Sequence, residues 1–319
     1  MKIKKRNTLI KKVAKKVVFS TPVKALTKSS KRVALPGFEG MPIYDVADFF
    51  FTGIQRGSIV TRAQSLAFSF FLAIFPAIIF LFSLIPYVPI QDFQDQLLLL
   101  IQNVLPKDAY ESTRETIEDI IKHQRGGLLS LGFVFALYFT TNGFMALMRG
   151  FNSSYHEQEK RSPWKRRGVA FILTIILSIL LIVATALIIF SEITFKNLVK
   201  KAILKSKTQV VLILLGKWIV VFALFFFAIS FLYYYAPSVK KKWRFVSAGS
   251  TFATVLTILL SIGFAFFVNN FGQYNKVYGS IGTLIVILLW IYFNSLILLL
   301  GFELNASIDR AKNKVTRQF

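Results

Sequence analysis

Six long stretches without a charged residue divide the chain. Each is made mostly of Leu, Ile, Val, Phe and Ala, and about 20 apolar residues in a helix cross the roughly 30 Å hydrocarbon layer of a membrane. Because lipid offers backbone groups no hydrogen-bond partner, each stretch should be helical. Six such stretches are too many to be buried helices of one soluble core. The pattern therefore predicts six transmembrane helices, near residues 66–86, 128–148, 168–190, 210–235, 245–268 and 281–304.

The segments around these stretches are shorter or more polar. Residues 44–54 are Phe-rich but too short to span a membrane, and residues 92–123 combine a short apolar run with an acidic helix; both are expected at a membrane surface. We divide the chain into a Lys-rich cytoplasmic tail (1–40), a six-helix membrane domain (41–308) and a basic cytoplasmic C-terminus (309–319). The expected fold class is an all-α polytopic membrane protein with six transmembrane helices, both termini cytoplasmic, and additional interfacial amphipathic helices.

Composition and charge orient this arrangement. The 319 residues include 39 Lys and Arg against 15 Asp and Glu, a net charge of +24, yet only 17% are charged and the mean hydropathy is +0.58. An even number of spans puts both termini on one side, and most Lys and Arg lie on that side, which the positive-inside rule assigns to the cytoplasm. The absence of Cys excludes disulfide-stapled domains and Cys-ligated metal sites. Five lysines on the opposite side depart from the rule: Lys196, Lys200, Lys201, Lys205 and Lys207.

Three segments have sequence features beyond their hydropathy: residues 65–80, 233–249 and 278–308. These segments resemble signatures of the YihY/BrkB family of bacterial inner-membrane proteins. The resemblance runs from about Phe49 to Ile308. Its most specific part is the last segment, with Tyr278, Gly279, Ser280, Gly282, Trp290, Gly301, Glu303, Leu304 and Asn305 at the family's spacing. The resemblance implies a six-span bacterial inner-membrane protein. The family has also carried the label ribonuclease BN, and no settled molecular activity comes with it.

Ionisable groups inside a predicted span are the first candidates for function, because burying them costs free energy and they usually face a cavity or a partner. Glu303, near the cytoplasmic end of the sixth span, is either a gate or proton-coupled carboxylate, or one half of a structural ion pair. Three arginines on the same side are its candidate partners: Arg62, Arg149 and Arg244. Lys217 in the fourth span is expected to extend its ammonium group to the membrane surface. Pro76 removes a helix hydrogen bond and should kink the first span.

Polar and small residues form a stripe on each of the last two spans. On the sixth span the stripe contains Thr283, Trp290, Asn294, Gly301 and Asn305. On the fifth it contains Ser250, Thr254 and Thr257, with Ser247, Thr251 and Ser261. Residues three and four apart share a helix face, so each stripe meets one neighbour. Such a stripe either lines a substrate path or forms a close helix–helix seam with interhelical hydrogen bonds, and both interpretations stay open.

Catalytic motifs are nearly absent, so no catalytic residue, metal or cofactor is expected. Glu115, Asp119 and His123 recur four residues apart, a spacing that metal ligands can have, but charged runs outside membranes usually form a solvated helix. The second histidine, His156, is predicted on the other face of the membrane. A ribonuclease needs acids and a basic RNA-binding surface together, whereas here the acidic helix is predicted outside and the basic surface inside.

These features favour a transporter- or flippase-like protein that moves a lipid, an amphiphile or a small solute. Two alternatives stay open: a membrane protein that organises the envelope without transport and, less favoured, an enzyme of the ribonuclease BN type. The expected partners are membrane lipids, with the Lys-rich tail binding anionic headgroups of the inner leaflet. No nucleic acid is expected, and a homo-oligomer is compatible with the sequence. The expected location is the bacterial cytoplasmic (inner) membrane, crossed several times.

Overall fold

The computed structural model describes residues 33–56, 58–87, 93–104, 107–155, 159–200, 207–238, 245–270 and 272–316. In this part of the chain every regular element is helical. The helices are α1 (Ile43–Arg56), α2 (Ile59–Leu84), α3 (Phe93–Val104), α4 (Lys107–Lys122), α5 (Gly126–Ser154), α6 (Pro163–Lys200), α7 (Lys207–Tyr235), α8 (Ala248–Asn270) and α9 (Gly272–Thr316), with a 3₁₀ turn at Ile85–Tyr87. The all-α expectation is confirmed for the described residues. Most of the Lys-rich tail, residues 1–32, lies outside them.

Six of the described helices, α2 and α5 to α9, are long and apolar enough to cross a membrane. Their apolar segments are Ile59–Tyr87, Gly126–Ser154, Pro163–Leu187, Trp218–Tyr235, Ala248–Val268 and Leu284–Lys314. The predicted number of spans is confirmed. The last span extends further than predicted, because α9 continues to Thr316. Charged residues near position 304 suggested an end, but Glu303 is paired with Arg310 of the same helix and the helix runs on.

Helix α9 is the central helix of the bundle. It packs against α8, α2, α1 and α5, while α2 and α5 form an extensive pair and α6 lies between α5 and α7. The short helices α3 and α4 pair with each other near the 3₁₀ turn that follows α2. At the other end of the bundle, Lys312 of α9 forms an ion pair with Glu39, just before α1 (2.5 Å). Both described ends of the chain therefore lie at one end of the bundle, which we call the terminal end.

Aromatic rings form the core near the terminal end. The rings of Phe151 in α5 and Phe302 in α9 stack with their centroids 4.1 Å apart, and Tyr233 of α7 meets both edge-on. All three residues are buried. By contrast, large apolar side chains on the outer faces are exposed, such as Leu181 and Ile182 at 67% each. An outer surface of this composition suits lipid rather than water.

The contact between α8 and α9 depends on two glycines. A Cβ atom at Gly249 would overlap the carbonyl oxygen of Gly301. One at Gly301 would lie 2.7 Å from the Cβ of Ala253 and overlap the Tyr233 hydroxyl. That hydroxyl donates a 2.7 Å hydrogen bond to the Leu298 carbonyl oxygen, so α7 is held at the same place. Small residues let membrane helices approach this closely, where packing and hydrogen bonds replace the hydrophobic effect.

We expect Gly249→Ala to destabilise the bundle by about 1–3 kcal/mol, because the added methyl group must push the backbone of α9 away from α8. The midpoint of unfolding in detergent measures the effect. Gly263→Ala is the matched control, since Gly263 lies in the same helix and a Cβ there meets no neighbouring heavy atom within 4 Å. An equal effect of the two substitutions would show that the seam is not tightly packed.

Candidate functional site

Glu303 of α9 is a fully buried carboxylate, with its side chain 1% exposed. Arg310, two turns further along the same helix, donates a hydrogen bond from Nη2 to Oε1 (2.5 Å). The Nη2 atom of Arg62, in α2, lies 3.8 Å from Oε2. Two guanidinium groups thus face one carboxylate, and the cluster of three side chains carries a formal net positive charge inside the bundle.

Both arginines also bind α5. Arg62 donates from Nη1 to the Gly150 carbonyl oxygen (2.7 Å) and to the Ser154 hydroxyl (3.1 Å). Arg310 donates to the Ser154 carbonyl oxygen (3.3 Å) and to the Ser307 hydroxyl (3.0 Å). The arrangement ties α2, α5 and α9 together at the terminal end. We call the five residues that contribute side chains to it the Glu303 network: Glu303, Arg62, Arg310, Ser154 and Ser307.

Gly53 of α1 lies directly against the Glu303 network. A Cβ atom at this position would overlap Oε1 of Glu303 and lie 2.9 Å from Nη2 of Arg310. Val46, earlier in α1, is 1% exposed and packs with Ile308 of α9. Apolar contacts therefore dock one part of α1, and the missing side chain at Gly53 lets the next part lie against the ion pair.

Several polar atoms of the network have no hydrogen-bond partner among the described residues. They are Nε and Nη2 of Arg62, Nε of Arg310 and Oε2 of Glu303, all buried. A buried charge without full hydrogen bonding is costly, and removing one member of a buried pair leaves the other uncompensated, at about 3–5 kcal/mol. Ionisable groups inside membrane spans are rare and mark pathways or switches. The Glu303 network is therefore the candidate functional site.

Four residues of the predicted polar stripes come together at the seam between α8 and α9. Asn305 donates from Nδ2 to the Ser247 hydroxyl and accepts from the Gly249 N–H, both at 2.8 Å. Ser250 is fully buried beside them, and the Thr254 hydroxyl donates to the Ser250 carbonyl oxygen (2.8 Å). These bonds lie within α8 or between α8 and α9, which is the geometry of a helix–helix seam.

The remaining candidates for a substrate path are Asn294, Trp290, Thr257 and Thr283. Asn294 donates its side-chain N–H to the Trp290 carbonyl oxygen of its own helix (2.8 Å), and Trp290 is 42% exposed. Thr257 is buried on α8. Thr283 belongs to α9, but its side chain lies outside the described part of the chain. Helix α2 continues through Pro76, and the kink there stays a prediction.

The acidic helix α4 lies at the end of the bundle opposite the terminal end. Its Asp119 pairs with Arg125 (2.5 Å) and lies 3.4 Å from Nδ1 of His123, while Glu115 is exposed. Within the described residues, no three His, Cys, Asp or Glu side chains are grouped so that they could hold a metal ion. The structure does not describe the side chains of other residues named above: Lys217, Arg244 and the five lysines at positions 196–207.

A second polar cluster joins the α5–α6 loop to the end of α7. Arg161 forms an ion pair with Glu159 (2.8 Å) and donates to the Ala236 carbonyl oxygen (2.8 Å). Asn152 donates to Glu159 (2.8 Å) and accepts from the Ser238 N–H (2.9 Å). Burial by itself raises the pKa of the Glu159 carboxyl, but the hydrogen bonds and charge of Arg161 outweigh it, so this pKa lies below its usual range.

Sequence reasoning offered the pairing of Glu303 with Arg62 as one alternative, and it missed Arg310, Gly53 and Ser154. Arg310 follows Glu303 by seven residues, which is close to two helical turns and puts both on one face once the helix continues past residue 304. Gly53 gave a weaker signal, a glycine inside a helix that it disfavours. Ser154 gave no signal, because its role comes from the packing of α5 against α2 and α9.

A bundle of six apolar helices organised around a buried ion network defines a polytopic helical membrane protein. The chain belongs to the BrkB family, because the family model described as Virulence factor BrkB matches residues 50–318. The matched region includes Gly53 and every member of the Glu303 network. The family resemblance of the sequence is thereby confirmed.

The relatives of this chain carry two kinds of name. It is 32% identical over 252 residues to the ribonuclease-like protein YfkH of Bacillus subtilis, covering 79% of this chain and 90% of that protein. It is 25% identical over 258 residues to a UPF0761 membrane protein of Vibrio campbellii, covering 79% and 78%. It is 24% identical over 271 residues to a UPF0761 membrane protein of Haemophilus influenzae, covering 83% and 96%. No solved structure matches the chain.

We expect Gly53→Ala to destabilise the protein by about 1–3 kcal/mol, because the added methyl group overlaps the Glu303 carboxylate. Unfolding in detergent, measured as a double-mutant cycle, tests the cause. In the Glu303→Ala background the overlapped oxygen is gone, so the cost of Gly53→Ala should shrink. In the Glu303→Gln background the overlapped atom remains, so the cost should persist. An unchanged cost in both backgrounds would contradict the contact.

We expect the stability of the wild-type protein to fall more steeply with decreasing pH than the stability of the Glu159→Gln variant. The pKa of Glu159 is lower in the folded than in the unfolded chain. Its charge therefore contributes stability above the unfolded pKa of about 4.3, and the contribution is lost as the pH falls below that value towards the folded pKa. Unfolding midpoints measured from about pH 7 to about pH 3 compare the two proteins. Parallel curves would contradict a lowered pKa.

Proposed function

We propose that the protein moves a lipid, an amphiphile or a small solute across the bacterial inner membrane, and that the Glu303 network is its gate. The observation that carries the proposal is the burial of one carboxylate between two guanidinium groups, where α1, α2, α5 and α9 meet. A buried ion pair is weak evidence for stability, since apolar residues can replace it without loss. Inside a membrane bundle, its presence favours a switch or a pathway.

In this proposal, the charge on Glu303 decides how the two arginines interact. When the carboxylate is ionised, it attracts both Arg62 and Arg310. A proton on the carboxylate removes the attraction and leaves two positive charges unopposed, so that α2 and α9 repel each other. The part of α1 around Gly53 lies against the same carboxylate, so it moves as well. The gate then opens at the terminal end.

We place the terminal end in the cytoplasm, since most Lys and Arg of the sequence fall on that side of the six spans. The Lys-rich tail then lies beside the anionic inner leaflet, where each basic residue contributes about 1 kcal/mol of attraction. Membrane lipids are the proposed partners, and nucleic acid is not one.

Two functions other than transport are considered: organisation of the envelope and ribonuclease activity. Organisation of the envelope without transport is favoured by the α8–α9 seam, whose hydrogen bonds account for Asn305, Ser250 and Thr254 as packing residues.

Ribonuclease activity is suggested by the name of one relative. We propose that this chain is no ribonuclease, because the acids of α4 lie at one end of the bundle, whereas most Lys and Arg of the sequence fall on the side of the other end. A nuclease needs both at one site.

We expect Glu303→Gln to raise the flux of the transported molecule through the purified protein in liposomes by at least about fivefold, since a coupling of one gate is worth 1–3 kcal/mol. Panels of labelled lipids and of small solutes identify the molecule. Glu118→Gln makes the same chemical change in an exposed ion pair with Arg114 on α4 and should leave the flux unchanged. An equal or lower flux in Glu303→Gln would contradict the gate, and no flux of any kind in the wild type would contradict transport.

A further inference from the structure

A groove between α6 and α7 opens beside the terminal end of the bundle. Its volume is about 910 Å³, near the upper end of the roughly 300–1,000 Å³ typical of small-molecule sites. One wall belongs to α6 and includes Gly168 and Ile172, and the other is the end of α7 with Phe231 and Tyr235. Ile172 is 55% exposed and Tyr235 is 53% exposed, so the groove opens to the outer surface of the bundle.

The groove is cationic at the terminal end and apolar further in. Lys165 and Arg161 lie at its mouth, whereas Ile172 and Ile176 follow along α6. The distance along the helix from Lys165 to Ile176 is about 16 Å at 1.5 Å per residue. Trp164, beside the mouth, is 85% exposed, and Trp and Tyr are enriched at the level of lipid headgroups. The mouth therefore fits the headgroup layer, and the apolar walls fit the hydrocarbon.

The mouth of the groove offers polar groups to a ligand. The Ser238 hydroxyl is buried and makes no hydrogen bond among the described residues. Lys165 is exposed. Arg161 is held in place by its ion pair with Glu159, so little side-chain entropy would be lost on binding. Residues 159–168 contain five Lys and Arg against one Glu, which makes the potential at the mouth positive.

We propose that this groove binds an anionic phospholipid, with its phosphate at Lys165, Arg161 and Ser238 and an acyl chain along the apolar walls. Charge complementarity selects a phosphate for the mouth. The apolar wall of about 16 Å matches one leaflet of the roughly 30 Å hydrocarbon layer, which selects a membrane lipid over a free anion. This inference rests on the proposed function, because it names the transported substrate as an anionic amphiphile. Binding of the lipid is measured separately from its transport.

Native mass spectrometry of the full-length protein in detergent, titrated with phosphatidylglycerol or phosphatidylcholine, tests the charged mouth. The wild type should prefer phosphatidylglycerol. Lys165→Gln should weaken phosphatidylglycerol binding about fivefold, the contribution of one basic residue near an anionic headgroup, and should weaken phosphatidylcholine binding less, because the choline ammonium group offsets the charge of its phosphate. Lys314→Gln removes an exposed lysine at the same end of the bundle and should bind as the wild type does. An unchanged preference in Lys165→Gln would overturn the proposal.

Gly168→Leu tests the apolar wall. Gly168 lines the groove, and a Cβ there meets no neighbouring heavy atom within 4 Å, so leucine fills the groove without disturbing the packing. Both lipids should bind at least about tenfold more weakly. This is the binding free energy lost when two CH₂ groups of the acyl chain no longer contact the groove. Gly216→Leu, at an equally open helix glycine outside the groove, should change nothing. Wild-type binding by Gly168→Leu would overturn the proposal.

Lipid flux measured on the same variants separates this inference from the transport proposal. Loss of both binding and lipid flux in Gly168→Leu supports the groove as the substrate site. Loss of binding with unchanged lipid flux overturns the groove as the substrate site and leaves transport standing. If the variants bind lipid as expected but the wild type transports no molecule at all, the transport proposal is overturned and the lipid-binding site is retained.

Discussion

An ionised Glu303 inside the bundle requires positive charge at its oxygens, and this constraint decides where four helices lie. Arg310 supplies that charge from the same helix and Arg62 supplies it from α2, while α5 binds both guanidinium groups through Ser154. Helix α1 reaches the site only because Gly53 has no side chain. In lipid the hydrophobic effect does not choose between helix neighbours, so hydrogen bonds, ion pairs and small residues do. The Glu303 network makes that choice at the terminal end.

The network is in physical contact with the groove between α6 and α7. Phe302 precedes Glu303 in α9, stacks on Phe151, and meets the ring of Tyr233, which itself lines the groove. Tyr233 also bonds to the Leu298 carbonyl oxygen and contacts the glycine seam. A shift of α9 that separates Glu303 from Arg62 of α2 must therefore displace Tyr233 or break its hydrogen bond to the Leu298 carbonyl oxygen. These side chains form a continuous packing route between the proposed gate and the groove.

Much of the fold could be predicted because membrane spans depend on local composition. The charge-free stretches predict the six spans. Because six is an even number, both described ends of the chain should lie at the same end of the bundle, and the Glu39–Lys312 ion pair shows that they do. The site was harder because it depends on neighbours distant in sequence. The pattern does not reveal Arg310, because the charge near position 304 predicts the end of the span, although a paired charge does not end a helix. The groove could not be predicted at all, since no pattern in α6 or α7 alone says that they face each other.

The asymmetry of the Glu303 network bears on the gate that we propose, because it would allow a change of state at low cost. Arg310 is close to the carboxylate, at 2.5 Å, whereas Arg62 remains 3.8 Å away and already donates to Gly150 and Ser154. Arg62 therefore keeps two hydrogen-bond acceptors when it leaves Glu303, so the departure strands no fully bare charge. Arg310 likewise keeps Ser154 and Ser307. The gate that we propose would use such duplicate partners, because each of its states must offer acceptors to the same buried guanidinium groups.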